Sequence, residues 1–373
     1  MFSFRVAQTL RLSKAGRVIA GFGISAIGIG SYIGFTAIHA REERIADVAQ
    51  TFMGKPLTDI KTLEKNKDSM RTKMEVMILK AQGEICRKLS DLDGKKFQVD
   101  RWERQQGGGG MTCVIQDGKV FEKAGVNVSV VYGTLAAKAA QQMKSRGKGF
   151  KGEDLPFFAC GISSVIHPRN PYVPTVHFNY RYFEVTDIDG QKHAWFGGGT
   201  DLTPYYLNEQ DVMHFHGVLK RVCDKHDASY YQRFKSWCDK YFFIPHRGEC
   251  RGVGGIFFDD LEDPTEEKLF NFLESCAAAV IPAYAPIVEK HMNDPYSEED
   301  RKWQLLRRGR YVEFNLVYDR GTKFGLYTPG SRIESILMSL PLKARWEYMH
   351  VPDKNSREEK MLEVLRNPRE WIQ

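Results

Sequence analysis

The sequence has few cysteines and no motif that groups them. Seven stand at positions 86, 113, 160, 223, 238, 250 and 276 of 373 residues. The count is odd, the spacing is wide and no C-x-x-C occurs, which excludes a disulfide framework and a cysteine-based zinc cluster. Free thiols are expected. No G-x-G-x-x-G follows a strand pattern and no phosphate loop ending in Gly-Lys-Ser/Thr is present, which argues against a Rossmann or P-loop nucleotide enzyme. Nor does charge of one sign dominate. The net charge is +7, and four of those charges are Arg5, Arg11, Lys14 and Arg17. Residues 1–40 hold no acid, so 7 − 4 leaves +3 for residues 41–373. That balance gives a nucleic-acid partner no support. There is no repeat and no long low-complexity linker. Against these absences stand 42% hydrophobic and 27% charged residues, enough to bury a sizeable core without staples.

The first forty residues differ from the rest. Met1–Arg17 is basic and acid-free, the composition of a mitochondrial presequence. Val18–Ile38 then runs 21 residues without a charge, just long enough to span a bilayer, although five glycines weaken it as a helix. A presequence with a sorting segment, a permanent anchor and a secretory signal all fit this pattern. We expect the first, which would place residues 41–373 in the mitochondrial intermembrane space, with membrane contact only through the N-terminal segment if it is retained.

In the body, Met70, Met74, Met77, Ile78, Ala81, Ile85 and Leu89 recur at helical spacing and predict a core-facing helix. Residues 41–69 read as a loosely packed lead-in, and Gly107–Gly110 as a short flexible loop. Three hairpins are expected: Thr112–Gln116 with Lys119–Glu122 around Asp117-Gly118, Thr175–Val185 with Gln191–Phe196 around Asp189-Gly190, and Tyr311–Tyr318 with Lys323–Tyr327 around Asp319-Arg320-Gly321. Val126–Tyr132 and Gly254–Phe258 read as further strands, and helical patterns fill 208–222, 227–242, 265–291, 333–340 and 356–366. Strands joined by tight turns are antiparallel, so the fold class is α+β, a single domain with an antiparallel sheet covered by helices.

Chemistry concentrates on the segment 175–185. Side chains alternate faces along a strand, so His177, Asn179 and Arg181 share one side, and Val176, Phe178, Tyr180 and Tyr182 the other. A base, an amide and a guanidinium in a row are unusual for a merely solvated face. Arg181 suits a carboxylate, as does Arg332 at the start of the 333–340 helix. In Trp195–Pro204 three glycines permit close approach of a flat ligand, and Asp201 stands at their end as an acceptor. The same features fit a solvated strand face, a glycine-rich loop with a capping Asp, and a surface arginine. His214 and His216 form an H-x-H on a helix, where i and i+2 do not face one another.

At these residues the chain resembles oxygen-dependent coproporphyrinogen III oxidase. The resemblance runs through Ser163–Pro171, Val176–Arg181, Trp195–Tyr205, Lys235–Tyr241, His246–Glu249, Arg251–Asp260, Gly309–Leu326 and Ser331–Tyr348, and covers roughly residues 65–373. It implies a large flat antiparallel sheet between helices, a homodimer, coproporphyrinogen III as substrate, O2 as co-substrate and no organic cofactor. It implies that Ser163, Asn179, Tyr180, Arg181, Gly330, Ser331 and Arg332 bind substrate, that His177 donates a proton and that Asp201 holds pyrrole NH groups. His177, Asp201 and Arg181 are the expected catalytic residues. Bacterial relatives are assigned a divalent metal at positions matching His167, His177, His216 and His246. Eukaryotic relatives are regarded as metal-free, and the presequence groups this chain with them, so no metal is expected. The expected reaction converts two propionates of coproporphyrinogen III to vinyl groups, giving protoporphyrinogen IX for haem. A non-catalytic tetrapyrrole carrier and a metal-dependent hydrolase built on the histidines are the alternatives.

Overall fold

The structure, a computed structural model, describes residues 44–372 except 136, 146 and 329. The expected presequence over residues 1–40 lies outside them. Two short helices, α1 (Ile45–Val48) and α2 (Ile60–Lys65), precede α3 (Met70–Asp93). The lead-in is better packed than its sequence suggests, since Ile45, Val48, Phe52 and Leu63 are buried. Helix α3 begins where the Ser69 hydroxyl accepts from Thr72 N–H and ends at Gly94, whose φ of +78° suits glycine.

Seven strands form one antiparallel sheet in chain order: β1 (Gln98–Glu103), β2 (Gly108–Gln116), β3 (Phe121–Leu135), β4 (Leu155–Pro168), β5 (Thr175–Thr186), β6 (Lys192–Thr203) and β9 (Gly254–Leu261). Helix α4 (Ala137–Lys144) lies between β3 and β4 in the chain. Helices α5 (Glu209–His226) and α6 (Tyr230–Tyr241) and the small hairpin β7 (Phe243–Ile244) and β8 (Glu249–Cys250) separate β6 from β9. Helices α7 (Glu266–His291), α8 (Glu298–Val317), α9 (Arg320–Tyr327), α10 (Ile333–Leu337) and α11 (Arg357–Arg366) follow.

The sheet has two unlike faces. Val176, Phe178, Tyr180 and Tyr182 are at most 1% exposed and join the main core, which α3, α5 and α7 build with the sheet. The methionine stripe of α3 lies in that core, as its spacing predicts. Gln82 on α3 donates its side-chain amide to the carbonyls of Met111 and Val126, which satisfies those donors on the apolar face. The other face carries His177, Asn179 and Arg181, all half-buried, and is approached by α8 and α10.

Several expectations are corrected. Tyr311–Tyr318 and Lys323–Tyr327 are not strands. Tyr311, Phe314 and Asn315 are buried at helical spacing within α8, and Lys323–Tyr327 lies in α9. Asp319 is not a hairpin turn but the N-cap of α9, accepting from Thr322 N–H at 2.6 Å. Gly108–Gly110 is strand rather than flexible loop, paired to Ser129–Val131. Lys119–Glu122 and Val126–Tyr132 do not form separate strands: β3 runs unbroken from Phe121 to Leu135, and Lys119 and Val120 precede it. Gly197–Gly199 forms the middle of β6. Strands β1 and β4 and the first half of α8 are not among the elements expected from sequence.

Candidate active site

Register converts strand alternation into rows of residues across the polar face. One row crosses six strands as Thr112, Asn127, Ser163, Asn179, Gly199 and Phe257. Beside it run Gly125, Val165, His177, Asp201 and Gly255. On its other side run Ser129, Gly161, Arg181 and Gly197. The floor is thus made of short amides, hydroxyls and bare backbone, with charged groups toward β6.

At the charged end His177 Nδ1 lies 2.6 Å from Asp201 Oδ1. Asp201 Oδ2 accepts from Arg251 Nη2 at 2.8 Å, and Arg251 Nη1 donates to Asn315 Oδ1 at 3.0 Å. Burial alone would push the Asp201 carboxyl up, but Arg251 and then His177 outweigh it and hold it below the usual range. Asp201 is therefore ionised near neutrality. Burial likewise works against a charged Arg251, and the Asp201 carboxylate more than offsets it. The Arg251 guanidinium lies over the rings of Phe242 at 4.1 Å and Tyr311 at 4.3 Å. His177 Nε2 has no partner among the described residues, and the side chain is 16% exposed, so Nε2 is the unengaged ring nitrogen at the end of the chain Arg251–Asp201–His177.

Arg181 Nη1 donates to Asn179 Oδ1 at 2.5 Å and Nη2 to Asp259 Oδ1 at 2.8 Å. Arg320 reaches the other Asp259 oxygen at 3.3 Å. Burial would raise Asp259, and Arg181 outweighs it, holding the carboxyl low. Gly197 is required beside this pair, because a Cβ there would sit 2.8 Å from Asp259 Oδ1 and 2.9 Å from Arg181 Cζ. The Gly330–Arg332 turn lies at the far edge. Arg332 pairs with Asp100 on β1, and Gly330, with φ +75°, stands against Gln106. Four strand spacings separate β1 from β5, about 19 Å at ~4.8 Å each.

The structure thus brings Ser163, Asn179, Arg181, His177 and Asp201 onto one face and sets Gly330, Ser331 and Arg332 beside its β1 edge. It does not bring the Tyr180 side chain there, because Tyr180 lies on the core face with its hydroxyl on Thr200. Nor are the four histidines gathered. His167 bonds Ser339 O at 2.9 Å, His216 bonds Tyr231 and Val253, and His246 bonds Glu313 and Tyr318. Among the described residues no group of three or more His, Cys, Asp or Glu could hold a metal. Burial lowers His167 well below the usual imidazole range and His216 to about 3. Sequence reading missed Arg251, Asn315 and Asp259, which join the site only through the tertiary fold. Asn127 is within reach of strand alternation once β3 is read as one strand.

A sequence profile of coproporphyrinogen III oxidase matches residues 73–371. The chain belongs to the coproporphyrinogen III oxidase family. It is 63% identical over 333 residues to the mitochondrial oxygen-dependent coproporphyrinogen-III oxidase of Rattus norvegicus, covering 88% of this chain and 75% of that one. It is 58% identical over 379 residues to the Drosophila melanogaster oxidase, covering 99% and 96%. The mitochondrial human enzyme is 60% identical over 334 residues, covering 89% and 74%. This family membership meets the polar face of the sheet at the residues that gave the resemblance.

Proposed function

We infer that this coproporphyrinogen oxidase family member decarboxylates two propionates of coproporphyrinogen III to vinyl groups, with O2 as electron acceptor, giving protoporphyrinogen IX for haem. The observation that carries the reading is family membership at this identity along nearly the whole chain. Each propionate loses CO2, a proton and two electrons. The chain's own groups then have distinct tasks. Arg181 stands on β5 and Arg332 pairs at β1, strands about 19 Å apart, which suits them to hold carboxylates at opposite sides of a broad flat molecule. Ser163, Asn127 and Asn179 offer hydroxyl and amide groups between them. His177 Nε2 moves the proton, from a pyrrole NH or to reduced oxygen. Asp201 has both oxygens engaged and is 2% exposed, so it acts through His177, fixing the ring by its Nδ1 rather than touching substrate. The apolar wall of Phe242, Phe257 and Phe314 excludes water and strengthens these charges.

The reaction on this reading uses no organic cofactor and no resident metal, supported by the separate protein partners of the four histidines. The chain acts in the mitochondrion, as the rat and human relatives' names state for those proteins. The basic start and apolar run of residues 1–38 support a location in the intermembrane space. A homodimer is supported by the exposed apolar side chains Trp346, Tyr348, Met349 and Val351. The test is mixing with coproporphyrinogen III in air and without it, before and after thorough chelation. Oxygen uptake, CO2 release and vinyl product in air, unchanged by chelation, are expected. Binding without O2 consumption would make the chain a carrier. Activity lost to chelation and restored by one divalent ion would overturn the metal-free reading.

A further inference from the structure

Away from the polar sheet face, α8, α11, the β7–β8 turn and residues 350–352 enclose a half-open cavity of about 170 Å³. Tyr311 and Asn315 on α8 turn toward His167 and Arg251, whereas Trp303, Arg307 and Arg310 on the same helix line this cavity. Four arginines line it: Arg247 from the turn, Arg307 and Arg310 from α8, and Arg366 from α11. His350 and Glu249 join them.

Among the described residues the cationic charge is not fully neutralised. Arg307 is 5% exposed, and its Nη1 donates to the buried Glu249 at 2.7 Å. Its Nη2 is buried without a hydrogen-bond partner. A buried guanidinium donor left unpaired is uncommon, and it leaves part of the Arg307 charge uncompensated beside the cavity. Arg247 and Arg310 share Glu313, and Arg366 has no carboxylate partner among the described residues. Four guanidiniums against Glu249 and Glu313 leave two positive charges. Arg310 is held below the usual arginine range by burial and then by Arg247, the sign of like charges crowded together.

We propose that this cavity binds a small dianionic oxyanion, of which inorganic phosphate is the type. The space is ample for one tetrahedral oxyanion. Planar guanidiniums match its oxygens two at a time. Bound there, the anion ties α11 to α8 and to the β7–β8 turn. The site is separate from the residues assigned to oxidation and does not rest on that assignment.

The probe is inorganic phosphate, titrated calorimetrically into the full chain at constant ionic strength with chloride as control. One saturable site and a phosphate-dependent rise in melting temperature are expected. Arg366→Ala removes an exposed, unpaired side chain and should weaken binding roughly tenfold or more, the effect of one charge-assisted hydrogen bond, without changing turnover. Arg181→Ala, on the sheet face, should leave the isotherm intact. Arg307→Met should abolish it, and if that variant fails to fold, Arg366→Ala decides. No saturable heat beyond chloride would overturn the proposal. So would an isotherm that survives Arg366→Ala, or one that disappears in Arg181→Ala and thereby places the anion on the sheet face.

Discussion

Replacing Asp201 with asparagine removes one charge and almost no volume, and its effect can be worked from the structure. The Arg251 and Asp201 side chains are 2% and 3% exposed, so their pair is fully desolvated. Breaking such a pair from one side strands the remaining charge and costs about 3–5 kcal/mol. A domain of roughly 300 residues unfolds with an entropy of about 0.6 kcal/mol per degree, so the melting temperature should fall by about 5–8 °C. The new side-chain amide would also face His177 Nδ1, favouring the tautomer that protonates Nε2. In a serine protease the same change at the equivalent carboxylate costs about four orders of magnitude in turnover. Thermal melts and oxygen-uptake kinetics on Asp201→Asn read the two effects separately. Arg251→Met should destabilise as well, and the double variant should be milder than the sum, because no buried charge is then left alone. An Asp201→Asn protein that melts with the parent would refute the claim that this carboxylate neutralises Arg251. One that turns over normally would refute the claim that it orients His177.

Arg181→Ala should lower kcat/KM by about 2–5 kcal/mol, roughly thirtyfold to several thousandfold, as for a clamp losing its carboxylate. The melt should move little, since Arg181 is 41% exposed at its side chain and Arg320 still reaches Asp259. Arg181→Lys should rescue only in part, and unchanged kinetics for Arg181→Ala with an intact melt would leave it a solvated strand residue. His216 gives a pH signature. Its folded pKa is lowered to about 3 while the unfolded imidazole titrates near 6.5, so the unfolded state binds the extra proton between those values and stability falls as pH drops below ~6.5. Urea melts at about pH 6 and pH 5 should show His216→Gln losing stability less steeply than the parent, by about 1.4 kcal/mol per pH unit. Parallel slopes would show that His216 is already protonated in the fold.

Alternation along one strand is enough to make the polar face legible in the sequence. It separates His177, Asn179 and Arg181 from Val176, Phe178, Tyr180 and Tyr182, and the sheet sets them on opposite sides. The helix from Met70 and the starts of α5, α7 and α11 are close to their expected limits for the same reason, a strong period bounded by good caps. Local ambiguity hides the rest. Asp-x-Gly marks both a turn and a helix start, and only the burial of Tyr311 and Phe314 decides between them. Gly108–Gly110 reads as loop because nothing in a glycine run shows that β1 and β3 will flank it. Arg251 and Asp259 carry no local mark of their roles, since each acts on a residue more than forty positions away.

The bare middle of β6 has a consequence for how this enzyme can change. A methyl at Gly199 would lie 2.5 Å from the Ile256 carbonyl, and one at Gly197 would strike both Arg181 and Asp259. Neither neighbour can yield without breaking a strand pair or an ion pair. The β6 stretch of the floor is therefore closed to stepwise substitution: it cannot acquire side chains that would reshape that part of the site. Variation in what the pocket accepts falls more easily on its margin at Arg332, Ile333 and Glu334, whose side chains are exposed and whose replacements meet solvent instead of backbone.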